Sequence, residues 1–330
     1  MSVNDSFPTT DVAIVMVPFV AQGHLTQLIH LSTTISSYNI PIHFITTTTS
    51  FHQLQSRHRT TTVNIHFHHF PVPPFTSPPP QPSTPFPTHL QPSFNSTLHL
   101  RHPTATLIRS LSEKHRRVVV IHDALMSYVV QDVVSIPNAE TYVFQPPPAF
   151  YRSVSHWETT GGSFPVDLEL MNTIPSLDGI ASPEFMKFLE LQGSHMGFYV
   201  GELYDSCRVV EGKFIEYLEK VGQKKIWAVG PFNPVRIASD STDLVNRHKN
   251  AFLITNILKI GIAVRNWEQR DELVTSDVVA AVIKTLMGSE EGEEMRQRVM
   301  KLGDQVKESV AEGGISRMEM DSFVSYVRRL

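Results

Sequence analysis

The sequence predicts an α/β fold built on an open parallel sheet, and three observations predict it. Val12 to Val17 is a continuous apolar run that passes through a glycine-containing turn into a helical apolar pattern. Arg117 to Asp123 and Thr141 to Gln145 are further apolar runs that stop at polar residues. Helical spacing fills the intervals between such runs, as crossover connections between parallel strands require.

Val12 to Val17 is β-branched apart from Ala13 and Met16, as expected of a strand covered on both faces. Pro18 cannot continue a hydrogen-bonded ladder, and Gly23 gives the turn backbone freedom. From Leu25 the apolar positions 25, 28, 29, 31 and 35 share one helical face. Ile40 to Thr47 is the next strand, which completes a βαβ unit. In Ile65 to Phe70, alternation puts His66 and His68 on one face of a strand and His69 on the other. No nearby carboxylate or cysteine completes a ligand set, so no metal is expected and the histidines are read as lining a loop or pocket wall. Pro71 to Pro92 contains ten prolines in 22 residues and reads as an extended loop over a pocket; a polyproline ligand is the alternative.

Helix is expected around residues 96–115 and over 124–135, on either side of the Arg117–Asp123 strand. Thr141 to Gln145 stops at Pro146-Pro147-Pro148, and residues 151–195 read as loops and short helices. Leu203 to Glu219 includes a helix, and Ile226 to Val229 is a strand closed by Gly230-Pro231. Residues 236–250 lack periodicity and read as a linker. Ile262 to Val264 is a strand candidate. Ser276 or Asp277 is placed to cap a helix with a stripe at 278, 279, 282, 283 and 286. Met295, Val299, Leu302 and Val306 form the next stripe, which Gly313-Gly314 end. Ser316 is placed to cap a last helix carrying Phe323, Val324 and Val327. These stripes need cover.

The 330 residues are 41% apolar and suffice for one large or two ordinary domains. A net charge of −4 argues against nucleic acid as a partner, and the single cysteine, Cys207, suits a reducing compartment. No apolar run approaches the roughly 20 residues of a membrane span, and the N-terminus lacks a signal pattern. A soluble, cytoplasmic protein without a membrane partner is expected.

His24 and Asp123 lie at the carboxyl ends of two buried strands, where an open sheet gathers its ligands. A neutral imidazole can take a proton from a hydroxyl while a carboxylate fixes its tautomer. The plainer alternative is that His24 fills a loop and Asp123 caps the next helix. No Gly-x-Gly-x-x-Gly follows a strand, and neither a Walker lysine nor a Gly-x-Ser-x-Gly elbow occurs. The dinucleotide, P-loop and hydrolase classes lose their main support.

Several motifs resemble the plant UDP-dependent glycosyltransferases, and among them the zeatin O-glucosyltransferases and O-xylosyltransferases. They include Pro18 to Gln27 with His24, His122 to Tyr128, Pro175 to Gly179, Tyr204 to Arg208 with Glu211-Gly212, and Trp227 to Pro234. The resemblance resumes at Asn250 and runs through Trp267 to Leu273 and Val310 to Asp321. It implies a GT-B fold and an inverting, metal-independent transfer of glucose or xylose to the hydroxyl of a small acceptor such as a cytokinin. His24 would be the general base and Asp123 its partner, with Phe19, Gly23, Met126, Gln145 and Phe150 around the acceptor. The UDP-sugar would be a co-substrate, no resident cofactor is implied, and the last helix would cross back onto the N-terminal domain.

The family's donor signature, a Trp-Ala-Pro-Gln start and a His-Cys-Gly-Trp-Asn-Ser core, does not occur, and the resemblance jumps at Lys249/Asn250. The expected organisation is a complete Rossmann-like acceptor domain over 1–235, a linker and junction over 236–250, and a truncated, mainly helical remnant of the donor domain over 251–330. A monomer is expected. UDP-sugar binding loses most of its site.

Overall fold

A computed structural model describes residues 11–57, 64–80, 87–171, 173–174, 181–232, 249–266, 269 and 272–329. The linker over 236–248, the Pro175–Gly179 motif, Asn233-Pro234 and Trp267 lie outside the described residues, as does the 81–86 part of the proline-rich stretch.

Seven strands form the sheet: β1 (Val12–Val17), β2 (Ile42–Thr47), β3 (Ile65–Phe70), β4 (Arg117–Asp123), β5 (Ala139–Gln145), β6 (Gly201–Tyr204) and β7 (Lys225–Ala228). They pair in parallel in the order β3-β2-β1-β4-β5-β6-β7. β1 is central and buried along its whole length, as its apolar run requires. Its two faces feed different cores. Ile14 and Met16 join α1 (Gln22–Ser36), whereas Val15 and Val17 join the layer of α4 (Arg101–Ser112) and α8 (Pro183–Ser194). Between them run α2 (Thr48–Arg57), α3 (Gln91–Ser96), α5 (Ser127–Val130), α6 (Ala149–Thr160) and α7 (Leu168–Met171), and α9 (Arg208–Gly222) follows β6.

Several expectations need correction. Gly201-Glu202-Leu203-Tyr204 is a strand that polar Glu202 hid from the apolar pattern. α6, a 12-residue helix entered through Pro148, takes up the first ten residues of the stretch read as loops and short helices. Pro92 lies in the first turn of α3, where a missing N–H costs nothing, so the proline-rich stretch ends in helix. Ile262–Val264 pairs with no strand, and among the described residues no strand follows Ala228.

The C-terminal part consists of helices Ser276–Gly288, Glu290–Val310 and Ile315–Arg328, preceded by a π-helical turn at Leu253–Ile257. Thr275, rather than Ser276 or Asp277, caps the first by accepting from the Val278 N–H at 3.5 Å. Gly314 occupies the cap position of the last, and Ser316 is buried beside Ser309. The last helix does cross onto the sheet. Met320, Phe323, Val324 and Val327 enter the same core as Ile14 and Trp227. Arg208 Nε donates to Glu319 Oε1 at 2.6 Å and Trp227 Nε1 to Ser322 Oγ at 3.3 Å. The helix Ser276–Gly288, by contrast, buries none of its residues, so the expectation that its stripe is covered fails.

Candidate active site

The strand order reverses at β1: β2 and β3 lie on one side and β4 onward on the other. Such a switch point opens a crevice at the carboxyl ends of the strands. Val17 stands opposite His122, so the turn after β1 and the end of β4 meet there. His24 lies in the first turn of α1 and Asp123 is the last residue of β4.

The two side chains bond, with His24 Nδ1 2.7 Å from Asp123 Oδ2. Asp123 is 0% exposed, and its Oδ1 accepts the Leu125 N–H at 2.9 Å. Asp123 caps the following turn with one oxygen and holds His24 with the other. A carboxylate only accepts, so the bond assigns the imidazole proton to Nδ1 and makes Nε2 the basic nitrogen. Phe19 packs edge-on against the imidazole at 5.3 Å between ring centres. Neighbouring His122 is fully buried, which pushes its pKa down to about 4, so it is neutral and plays a structural part.

His24 and Asp123 lie on the wall of a cavity of about 390 Å³. Of the residues that the resemblance places around an acceptor, Phe19, Gly23 and Gln145 line this cavity. Met126 and Phe150 do not. Met126 is buried in the core with Val129, and Phe150 stacks on Phe252 and meets Phe214 edge-on, so α6 turns Phe150 inward while Tyr151, Arg152 and Ser155 reach the cavity. The sequence reading did not single out Arg152 and Gln192, which reach the cavity from helices inside the stretch read as loops and short helices. Behind Gln145, Glu202 accepts from Gln145 Nε2 at 3.1 Å, Tyr204 at 2.9 Å and Tyr199 at 2.8 Å. Burial opposes the charge of Arg152, but Tyr204 and Glu202 outweigh it and raise the guanidinium pKa.

The histidine group lies elsewhere, which corrects its assignment to a pocket wall. β3 is the edge strand, two places from β1, and His43 pairs there with His66 and lies 2.9 Å from His68. Burial, with its histidine neighbours, pushes His43 down to about 4. His69 stacks on Phe51. Among the described residues no group of three or more His, Cys, Asp or Glu is arranged to hold a metal.

Residues 10–234 match the family model described as glycosyltransferase, N-terminal domain. Zeatin O-glucosyltransferase of Phaseolus lunatus is 32% identical over 460 residues, covering 100% of both chains. Zeatin O-xylosyltransferase of Phaseolus vulgaris is 30% identical over 458 residues with the same coverage. The first alignment has 460 positions against 330 residues here, a difference of 130 positions that this chain does not fill. Among solved structures, Glycyrrhiza uralensis UGT73P12 complexed with glycyrrhetinic acid 3-O-monoglucuronide superposes with a TM-score of 0.72 at 16% identity, covering 97% of this chain and 96% of that one. A UDP-glucosyltransferase from Polygonum tinctorium capable of glucosylating indoxyl gives 0.72 at 13% identity, covering 98% and 100%. At these identities the structural likeness concerns the fold. No helix among the described residues is long and apolar enough to cross a membrane.

Proposed function

Because the chain belongs to the plant UDP-dependent glycosyltransferases and has their GT-B fold, we propose that its cavity holds a small alcohol whose hydroxyl His24 deprotonates for sugar transfer. The observation that carries this reading is the 2.7 Å bond from His24 Nδ1 to a fully buried Asp123 on the cavity wall. Asp123 fixes the tautomer and stabilises the imidazolium as it forms. The acceptor oxygen attacks the anomeric carbon of a UDP-sugar, its proton passes to His24 Nε2, and UDP leaves with the electron pair of the broken C–O bond. Attack from the face opposite UDP inverts the anomeric configuration. The names of the relatives support a cytokinin such as zeatin as acceptor and glucose or xylose as the sugar. Residues 1–235 form the acceptor domain, 236–250 the linker and junction, and 251–330 the remnant of the donor domain. The reading calls for no resident cofactor and places a monomer in the cytoplasm.

One observation favours a second reading, acceptor binding without transfer: the donor signature does not occur in the sequence. Incubation with trans-zeatin and UDP-glucose or UDP-xylose, followed by mass spectrometry, separates the two. Transfer through His24 yields an O-glycoside that the His24→Ala variant loses by roughly 10²-fold or more. Equal product from the variant overturns the assigned base. No product and no heat on titrating UDP-glucose, together with heat on titrating trans-zeatin, establish the second reading.

A further inference from the structure

Three imidazoles gather at one edge of the sheet. His43 of β2 stands opposite His66 of β3, and its ring stacks on that of His66 at 5.2 Å and on that of His68 at 5.1 Å between ring centres. His43 Nδ1 faces His68 Nε2 across 2.9 Å, a gap that holds one proton. A second proton would set two N–H groups against each other, so the intact pair carries at most one charge. The titratable and charged groups that bear on His43 are His68 and His66 of β3 and His115 and Lys114 of the turn between α4 and β4, all of them bases. Burial first, and then these bases, hold His43 at about 4, and burial with His66 also lowers His68.

β3 is poorly placed to resist a charge in this cluster. It is the edge strand, paired with β2 alone, and none of its six residues is buried. Its carboxyl end leads toward the cavity beside His24. Phe70 and Val72 pack in the same apolar cluster as Leu90 and Phe94, and Leu90 and Phe94 line that cavity.

We propose that His43, His66 and His68 form an acid-operated latch: protonation of the stacked imidazoles drives β3 off β2, and the cavity wall that carries Leu90 and Phe94 loosens with it. The released, solvated chain takes up these protons near the ordinary 6.5, whereas the latched His43 resists until about 4. The latch is therefore complete above pH 6.5 and is lost as pH falls toward about 4. Because β3 is bound along one side only, it opens without the rest of the sheet, and its departure leaves the N–H and C=O groups on that side of β2 unpaired.

Hydrogen exchange of the full chain, read by mass spectrometry at pH 7.5 and pH 5 and corrected for intrinsic rates, tests this. Protection of the amides of β3 and of α3 is expected to fall by about tenfold or more on acidification, while β1 stays better protected than either at both pH values. His43→Phe keeps a flat ring against His66 but takes up no proton, and should shrink that fall by about threefold or more. Circular dichroism checks folding. Should His43→Phe fail to fold, His68→Gln decides: its amide oxygen can face Nδ1, so His43 takes its second proton in place and the fall again shrinks by about threefold or more. Unchanged β3 protection between the two pH values, a fall that the folded variant leaves whole, exchange of β3 only together with β1, or loosening of β3 without α3 overturns the proposal.

Discussion

The helix Ile315–Arg328 and the helix Ser276–Gly288 each carry an apolar stripe, and they have opposite surroundings. In the former, Met320, Phe323, Val324 and Val327 are all buried against the sheet with Tyr142 and Trp227. In the latter no residue is buried, and Val278, Val279, Ile283 and Met287 are exposed. Periodicity determines that a helix forms with one apolar face, but burial needs an opposing surface. The seven-stranded sheet provides that surface for the last helix. The first C-terminal helix packs on its neighbour Glu290–Val310, which buries little itself. The sheet half is thus a packed body with its cavity, whereas the other half carries uncovered apolar surface in a chain 130 positions shorter than its 460-position alignment to a relative.

Truncating Phe323 should break the sheet side of this contrast most severely. Its ring meets Tyr142 at 5.3 Å and Trp227 at 5.2 Å, both edge-on, and is 0% exposed. Phe323→Ala should cost about 3–5 kcal/mol, read as a lower urea midpoint at unchanged slope. A cost below about 1 kcal/mol would mean that the last helix is not part of the cooperative unit.

The buried histidine of β4 gives the next largest effect. Burial holds His122 at about 4, below its ordinary 6.5, so the folded chain keeps it neutral where the unfolded chain protonates it. Its stability contribution is complete above pH 6.5 and is lost as pH falls toward about 4. Asp205 acts with the opposite sign, since burial raises it to about 6 and acid relieves that cost. The His122 part is therefore read as a difference. The gap in unfolding free energy between wild type and His122→Asn should shrink by about 2 kcal/mol from pH 7.5 to pH 5. A constant gap would show that His122 titrates alike in both states.

The sheet half was also the more legible half in the sequence. β1 and β4 are uninterrupted apolar runs, and the polar residues after them, His24 and Asp123, proved to be bonded partners. β6 escaped because a carboxylate, Glu202, sits inside it, where it accepts from Tyr199, Tyr204 and Gln145. Arg152 and Gln192 were invisible for a related reason. Their helices lie among prolines and glycines, and their place on the cavity wall arises only from the tertiary arrangement. Ile262–Val264 failed in the other direction: three apolar residues read as a strand, yet a strand exists only with a neighbour to pair. Met126 and Phe150 show the limit of motif transfer, since adjacent residues on one turn face opposite ways.

The smallest expected effect tests the other side of the contrast. Ile283 is 54% exposed and Met287 70% exposed on the helix Ser276–Gly288. A charge at either position leaves water only if that face is covered, and burial of an unpaired carboxylate is costly. Glu is also as good a helix former as the residues it would replace, so propensity adds no penalty. Ile283→Glu should therefore change the unfolding free energy by no more than about 0.5 kcal/mol. A loss of 2 kcal/mol or more, near what a core substitution costs, would mean that the stripe is covered in solution and would erase the distinction between the two helices. A negligible loss beside a large one for Phe323→Ala would locate the cooperative core of the protein in the sheet and its last helix, with the exposed stripe outside it.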